Sequence, residues 1–351
     1  MNEFFFNWHY ACGGPVGSGL FKTIPEDFRV VEELPFVPDG EGEHLLVMIE
    51  KKGHNTDWVA GQLARCCGLS KKAISYAGRK DRQGITRQWF CLSLPGMPDP
   101  QWSSFETETL TVIEQARHRR KLRVGALKAN HFAITLRDVA GERRDIDKRL
   151  SLIAEEGVPN YFGSQRFGHN NRNIEKAVAL FGGSLRLPRN KRSMYLSAAR
   201  SWLFNKALSD RIAQQKWQIL LSGDVLGFQG NNSLIFDISD KALKPRFEQR
   251  EVCPTGPLWG RGRLSSSSDC HLLESAAIAP YQVLCDGLEN AGLNQERRVL
   301  LLQPQGMEWH WLDKQTLHVR FGLPKGTFAT SVLREALVCQ EGAAIDHSAI
   351  Q

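Results

Sequence analysis

Phe132-Ala133-Ile134-Thr135-Leu136-Arg137-Asp138-Val139 decides the fold. Phe132, Ile134 and Leu136 alternate with Ala133, Thr135 and Arg137, a period of two that sends successive side chains to opposite faces of a half-buried strand. That alternation belongs to a mixed or antiparallel sheet, because strands of a doubly wound parallel sheet are covered on both faces and read as unbroken apolar runs. Working upstream, strand composition recurs at 28–31, 44–49, 73–76, 85–94 and 110–115, the second following the turn-forming Pro38-Asp39-Gly40-Glu41-Gly42. One helix interrupts these strands: Asn55-Thr56-Asp57 offers N-caps, and Gly68 is placed to end it after Cys67. The class is α+β.

Downstream, the period changes. Ile146, Leu150, Ile153 and Ala154 mark a helix, and 193–214 reads as another with Ala198, Trp202, Leu203 and Leu208 inward. Further helices are expected at 241–251 and 271–290, separated by Cys253-Pro254-Thr255-Gly256-Pro257 and the Ser265 to Ser268 tract. Strand composition returns at 299–302 and 317–321, and a helix is expected at 329–339. A helical block flanked by strand-rich segments implies an inserted domain.

The 351 residues suggest about two domains. Hydrophobic residues at 42% and charged residues at 24% exclude a disordered or fibrous chain. No apolar run is long enough for a transmembrane helix. The first ten residues carry Glu3 and no basic region, unlike a secretory signal, so the expectation is a cytoplasmic protein without membrane contact. Eight cysteines form no Cys-x-x-Cys pair and ten histidines no pair at ligand spacing, so no metal is expected. Gly13-Gly14-Pro15-Val16-Gly17-Ser18-Gly19 lacks the Lys-Ser or Lys-Thr of a P-loop and the strand-helix frame of a dinucleotide fingerprint. With no Gly-x-Ser-x-Gly either, carboxylates are left as the reactive groups.

The formal charge is +7. Residues 115–137 hold seven basic side chains and no acidic one, and 176–209 hold seven more, again without an acid. Solvated faces normally mix signs, so acid-free runs of this length point to a polyanion, of which nucleic acid is the default. Arg117, Arg119, Arg120 and Lys121 in the first run, and Arg189, Lys191 and Arg192 in the second, are the candidates for gripping phosphates. Tyr195, Trp202 and Phe204 lie within the second run, either as core residues at helical spacing or as base-stacking groups.

Gly78-Arg79-Lys80-Asp81-Arg82-Gln83 sets one carboxylate among three cations. Opposite charges favour the anion, the form a carboxylate nucleophile needs. An Asp in a β-turn with flanking surface cations fits the same string.

Gly78-Arg79-Lys80-Asp81 resembles the Gly-x-Lys-Asp motif of the TruD family of tRNA pseudouridine synthases. Four more strings resemble that family in the same chain order: Lys22-Thr23-Ile24-Pro25-Glu26-Asp27-Phe28-Arg29-Val30-Val31-Glu32; Leu127-Lys128-Ala129-Asn130-His131-Phe132; Val158-Pro159-Asn160-Tyr161-Phe162-Gly163-Ser164-Gln165-Arg166-Phe167-Gly168; and Gly326-Thr327-Phe328-Ala329-Thr330-Ser331-Val332-Leu333-Arg334-Glu335. They span about residue 17 to 340.

The resemblance implies a catalytic α+β domain on a mixed, largely antiparallel sheet, residues 1–156 and 304–351, interrupted by an inserted, mainly helical α/β domain at 157–303. It implies isomerisation of uridine to pseudouridine at position 13 of tRNA, without cofactor or metal and without an obligate protein partner. Asp81 is then the nucleophile, and Phe28, Asn130 and Phe328 bind substrate. Lys22 is the expected cationic partner of Asp81, since Lys80 and Arg82 on a strand-like backbone would point away from it. Phe132 suits an apolar lid over the base or an ordinary core position. Two other classes fit the basic surface: a non-catalytic RNA-binding protein, and a cofactor-dependent RNA-modifying enzyme such as a methyltransferase, which the missing Gly-rich nucleotide loop disfavours. The segment 254–277 carries no string of the family and its role is open.

Overall fold

Strand Ala129–Ala140 has Phe28–Glu33 on one side and Leu317–Pro324 on the other, both antiparallel to it. The computed structural model describes residues 4–342 except 232, 239 and 241, and leaves the side chains of 189 and 190 undescribed. The chain divides into two units, one comprising Val16–Ile146, Pro304–Lys325 and Leu337–Gln351, the other Met1–Pro15, Asp147–Gln303 and Gly326–Ala336.

In the first unit the strands run in the order Gln305–Trp311, Leu317–Pro324, Ala129–Ala140, Phe28–Glu33, Ile85–Ser93, His44–Lys52, Leu110–His118. Ile74–Tyr76 adds to Ile85–Ser93, and Ser18–Phe21 lies between Ala129–Ala140 and Val338–Glu341. Two pairings are parallel, Phe28–Glu33 with Ile85–Ser93 and Ser18–Phe21 with Val338–Glu341, and the rest antiparallel. The sheet is mixed and largely antiparallel, and the class is α+β. Helix Thr56–Cys66 lays Val59, Ala60 and Leu63 against Leu45, Val47, Ile49, Phe90 and Leu92, all buried. Each large apolar side chain in that layer contributes about 1.5–3 kcal/mol by leaving water.

Ile134 and Leu136 are fully buried, as the alternation predicts, and on the other face of their strand His131 is exposed, Ala133 and Arg137 are half-buried and Thr135 is buried. Thr135 shares a hydrogen bond with His318 Nδ1 at 3.1 Å, and Arg137 donates twice to the buried Asp27 carboxylate. Where this face is closed, each polar group has a partner, Thr135 on the neighbouring strand and Arg137 at the turn before Phe28–Glu33.

The second unit is built on helix Arg189–Ala213. Ala198, Trp202, Leu203 and Leu208 are buried on the face the helical period assigns them, and Tyr195 and Phe204 join the same core, so these aromatics are not exposed for base stacking. Trp202 takes the edges of Phe4 and Tyr281 and donates to Phe5 O at 3.1 Å. Residues 4–15 group here and not with the sheet because Arg334 and Glu335 hold them. Arg334 Nη2 donates to Trp8 O at 2.7 Å, and Glu335 Oε2 accepts from the amides of Ala11 and Cys12 at 3.0 Å each. A small sheet in the order Leu234–Ile235, Leu226–Gly227, Cys253–Leu258, Glu296–Val299 completes the unit.

Four sequence expectations are corrected. The helix expected over 271–290 is two, Ser268–Ile278 and Gln282–Asn290, broken at Pro280, which has no N–H to continue the ladder. The helix expected at 241–251 is confined to Leu243–Glu248. Cys253-Pro254-Thr255-Gly256-Pro257 is no separator but a strand, with Pro254 opposite Leu226 of one neighbour and Pro257 opposite Arg297 of the other. The last helix stops at Leu333, and Val338–Glu341 is instead recruited to the sheet edge beside Ser18–Phe21.

Among the described residues no helix is long and apolar enough to cross a membrane, no group of three metal-ligating side chains stands together, and the eight cysteines are free.

Candidate active site

The string 78–83 lies in the loop between Ile74–Tyr76 and Ile85–Ser93. Buried polar groups of neighbouring elements fix its backbone. Thr56 Oγ1, at the first turn of helix Thr56–Cys66, accepts from the Lys80 amide at 3.0 Å and donates to Gln88 Oε1 at 2.9 Å, while Gln88 Nε2 donates to Gly78 O. Lys51 Nζ donates to Asp81 O at 3.0 Å and His54 O at 2.8 Å. Lys80 Nζ pairs with Glu32, whose other oxygen accepts from the Trp89 amide at 2.9 Å. Thr56, Gln88, Lys51 and Glu32 are all buried. Burial pulls the Lys51 ammonium down to about 8 and pushes the Glu32 carboxyl up, with Lys80 opposing the second effect. Gly84 closes the loop at φ +134°, where a Cβ would stand 2.5 Å from Phe28 O.

With its main chain so held, Asp81 presents a carboxylate that is half exposed. Lys22 Nζ donates to Asp81 Oδ2 at 3.1 Å and reaches Glu341 at 3.5 Å. Lys22 follows strand Ser18–Phe21 in a left-handed backbone conformation, φ 57°, rare for a side-chain-bearing residue and found where geometry is imposed by the surroundings. Its ammonium lies over the Phe28 ring at 4.6 Å and the Phe21 ring at 5.2 Å. Lys80 and Arg82 are turned away from the carboxylate, as expected, but for another reason: the backbone here is a loop, and Lys80 is taken by Glu32 and Arg82 by Gly53 O.

Register brings the aromatic and amide candidates to the same side of the sheet. Phe132 stands opposite Val30 and Phe321, and Asn130 opposite Glu32 and Leu323, so Asn130, Phe132, Phe28 and Glu32 share a face. Phe28 and Phe132 have ring centroids 6.1 Å apart, and Phe132 and Phe321 5.6 Å. Asn130 Oδ1 is buried with no hydrogen-bond partner among the described residues. Phe328 belongs to the other unit, half-buried beside Phe162 and Arg166.

The basic runs are acid-free in sequence but not in space, which corrects the premise that only a polyanion could neutralise them. Arg117 is bound by Asp99 and by Leu94 O and Met97 O, Arg119 pairs with Glu41, Lys128 with Glu33, Arg200 with Glu296 and Lys206 with Asp210. Arg120, Lys121, Lys191 and Arg192 are exposed, and the Arg189 side chain lies outside the described ones. Sequence reasoning missed the anchors Lys51, Thr56 and Gln88. Their signal was weak: a lysine ending an apolar strand and two polar residues in elements that read as core.

The family model described as tRNA pseudouridine synthase D (TruD) matches residues 8–181 and 173–336. The chain belongs to the TruD family. Two relatives called tRNA pseudouridine synthase D are similar to it over nearly their whole length. That of Hydrogenovibrio crunogenus is 46% identical over 93% of this chain and 94% of its own, and that of Aeromonas salmonicida 47% identical over 95% and 94%. A crystal structure of a putative tRNA pseudouridine synthase D from Methanosarcina mazei shares the fold, with a TM-score of 0.73 at 22% identity over 94% of this chain and 95% of that one. In this TruD chain three of the five family-like strings converge in one unit, supplying Lys22, Glu32, Asp81, Asn130 and Phe132. The other two build the second unit, with Tyr161, Arg166, Phe328 and Glu335.

Proposed function

We propose that Asp81 is the carboxylate nucleophile with which this tRNA pseudouridine synthase isomerises uridine to pseudouridine, and that its target is position 13 of tRNA. The observation that carries the reading is the Lys22–Asp81 pair, a carboxylate held by its main chain on buried anchors and left half open to solvent. In the isomerisation the bond from uracil N1 to ribose C1′ breaks, the base turns, C5 bonds C1′, the proton leaves C5 and N1 regains one. No electrons are gained or lost overall. Asp81 supplies the carboxylate whether it attacks ribose or base, and Lys22 keeps a cation beside it.

The target nucleotide must leave the stack of the folded RNA, at a cost of a few kcal/mol, and an aromatic surface offsets part of that. Phe28 and Phe132 offer such a surface on the sheet face that also carries Asn130. The unpartnered Asn130 Oδ1 is an acceptor for the N3–H of uracil, and its amide a donor for the adjacent carbonyl. Phe328 is assigned to the substrate as well. Because Asp81 is half exposed in the free protein, bound tRNA has to exclude the water around it. The catalytic role goes to the segments 1–156 and 304–351 and the insert to 157–303, with tRNA as partner, the cytoplasm as location, and no cofactor, metal, membrane or obligate protein partner.

The test is product analysis of tRNA incubated with the purified protein in the absence of any cofactor. Pseudouridine at position 13 is expected, and its absence there contradicts the reading. Asn130→Ala should lower kcat/KM through loss of about 1–3 kcal/mol of hydrogen bonding to the base. An unchanged rate at subsaturating tRNA contradicts the role of Asn130.

A further inference from the structure

We propose that Arg166 and Arg298, together with Phe162 and Phe328, form a clamp for one backbone phosphate of the RNA, with the Phe328 ring as the stacking surface for an adjacent base. All four residues belong to the unit that contains helix Arg189–Ala213. The Arg298 guanidinium lies over the Phe162 ring at 4.2 Å and the Phe204 ring at 5.7 Å, and donates to Asn160 Oδ1 at 2.6 Å. Arg166 reaches Phe162 at 5.6 Å and Phe328 at 5.7 Å, and donates to Ser197 Oγ at 3.0 Å.

Neither arginine meets a carboxylate among the described residues. Other buried arginines of the unit do: Arg211 takes Asp224 at 2.6 Å, and Arg297, next to Arg298 in sequence, takes Glu274. Two guanidiniums within electrostatic range of each other, partly stripped of water and lacking a counter-ion, are costly to keep charged. Burial lowers both, and Arg166 adds to the effect on Arg298. Two polar atoms, Arg166 Nε itself and Thr330 Oγ1, are also buried without partners among the described residues. Gly163 lets these groups close up, since a Cβ there would come within 2.8 Å of Thr330 Oγ1 and 3.3 Å of the Phe328 ring.

An anion with several acceptor oxygens answers all of these deficits at once. It pairs with planar guanidiniums, takes the free Nε–H, and accepts from the threonine hydroxyl. Aromatic rings next to the cations add a stacking surface for the base attached to that phosphate, and the two guanidiniums alone suffice to bind the bare anion. The clamp rests on the reading of the chain as a tRNA-binding enzyme but not on the role of Asp81, and its test involves no turnover.

Arg166→Gln and Arg298→Gln, alone and together, are to be titrated with tRNA across a salt series and melted without RNA. Releasing one phosphate should weaken binding by roughly tenfold and lower the log-log salt slope by about 0.7 to 0.9. Melting temperatures should hold or rise, because an unpaired buried charge is removed. A parent-like affinity and slope, or a fall in melting temperature with tRNA binding unchanged, would overturn the clamp in favour of a packing role. Should a glutamine variant fail to fold, the unaltered protein decides. Inorganic phosphate replacing chloride at equal ionic strength must raise its melting temperature, and no rise overturns the proposal.

Discussion

Lys22 and Lys51 flank the same aspartate in different ways, and substitutions should separate them. Lys22 touches the Asp81 carboxylate, so Lys22→Met should reduce kcat by about a hundredfold, the scale of losing one charge-stabilising group at a reacting centre, with a smaller change in KM. Single-turnover rates at saturating tRNA check this, and a parent-like rate contradicts it. Lys51 instead holds the Asp81 carbonyl. Lys51→Met leaves that carbonyl and His54 O without their donor, a loss of about 1–3 kcal/mol of stability. The lysine's folded value of about 8 lies below the ordinary 10.5, so between those values the unfolded chain binds more protons. In the parent, Lys51 therefore makes stability climb as pH rises from about 8 towards 10.5, and below that window its contribution is constant. Urea unfolding at a series of pH values should show that climb in the parent and its reduction in Lys51→Met. Asp81 was legible as an acid among cations, and Lys22, 59 positions away, was named as its partner only through the family-like strings, because nothing next to Asp81 in the chain points to it. The buried anchors were illegible because a polar residue in a core segment announces nothing until its partner is known.

At the scale of elements, loop 78–84 is shaped by its ends. Gly84 is the first residue after the loop's polar string, and its backbone angle and the 2.5 Å approach to Phe28 O leave no room for a side chain. Gly84→Ala should destabilise the protein by about 1–3 kcal/mol and displace Phe28, lowering activity in parallel. A urea midpoint equal to the parent's would contradict this. Strand Ala129–Ala140 was readable because one face is core and the other stays partly open, so its period of two survives. Val338–Glu341 was not, because its helical appearance is overruled by an open sheet edge beside Ser18–Phe21. The single helix expected at 271–290 failed on one residue, Pro280, whose missing N–H outweighs the apolar period around it.

For the whole molecule the issue is how charge meets RNA. Arg117 is tied to Asp99 and three carbonyls, whereas Arg120, Lys121 and Arg192 are exposed. Replacing Arg119, Arg120 and Lys121 by Ala, or separately Arg189, Lys191 and Arg192, should weaken tRNA binding and flatten its salt dependence by about 0.7 to 0.9 for each phosphate no longer gripped. Slopes identical to the parent's would assign both runs to surface solvation. Reading the sequence alone overstated these runs, because the acids that meet them, Glu33, Glu41, Asp99 and Glu296, are distant in the chain and adjacent only after folding.

The central claim is that one carboxylate does the chemistry, and Asp81→Asn tests it most directly. The amide keeps the shape of the side chain and loses the nucleophile, and the half-exposed pair with Lys22 contributes about 0–1 kcal/mol to stability, so the variant should fold and bind tRNA much as the parent does. Incubated with tRNA and analysed for pseudouridine, it should form none. Pseudouridine formation at the parent's rate would remove Asp81 from the reaction.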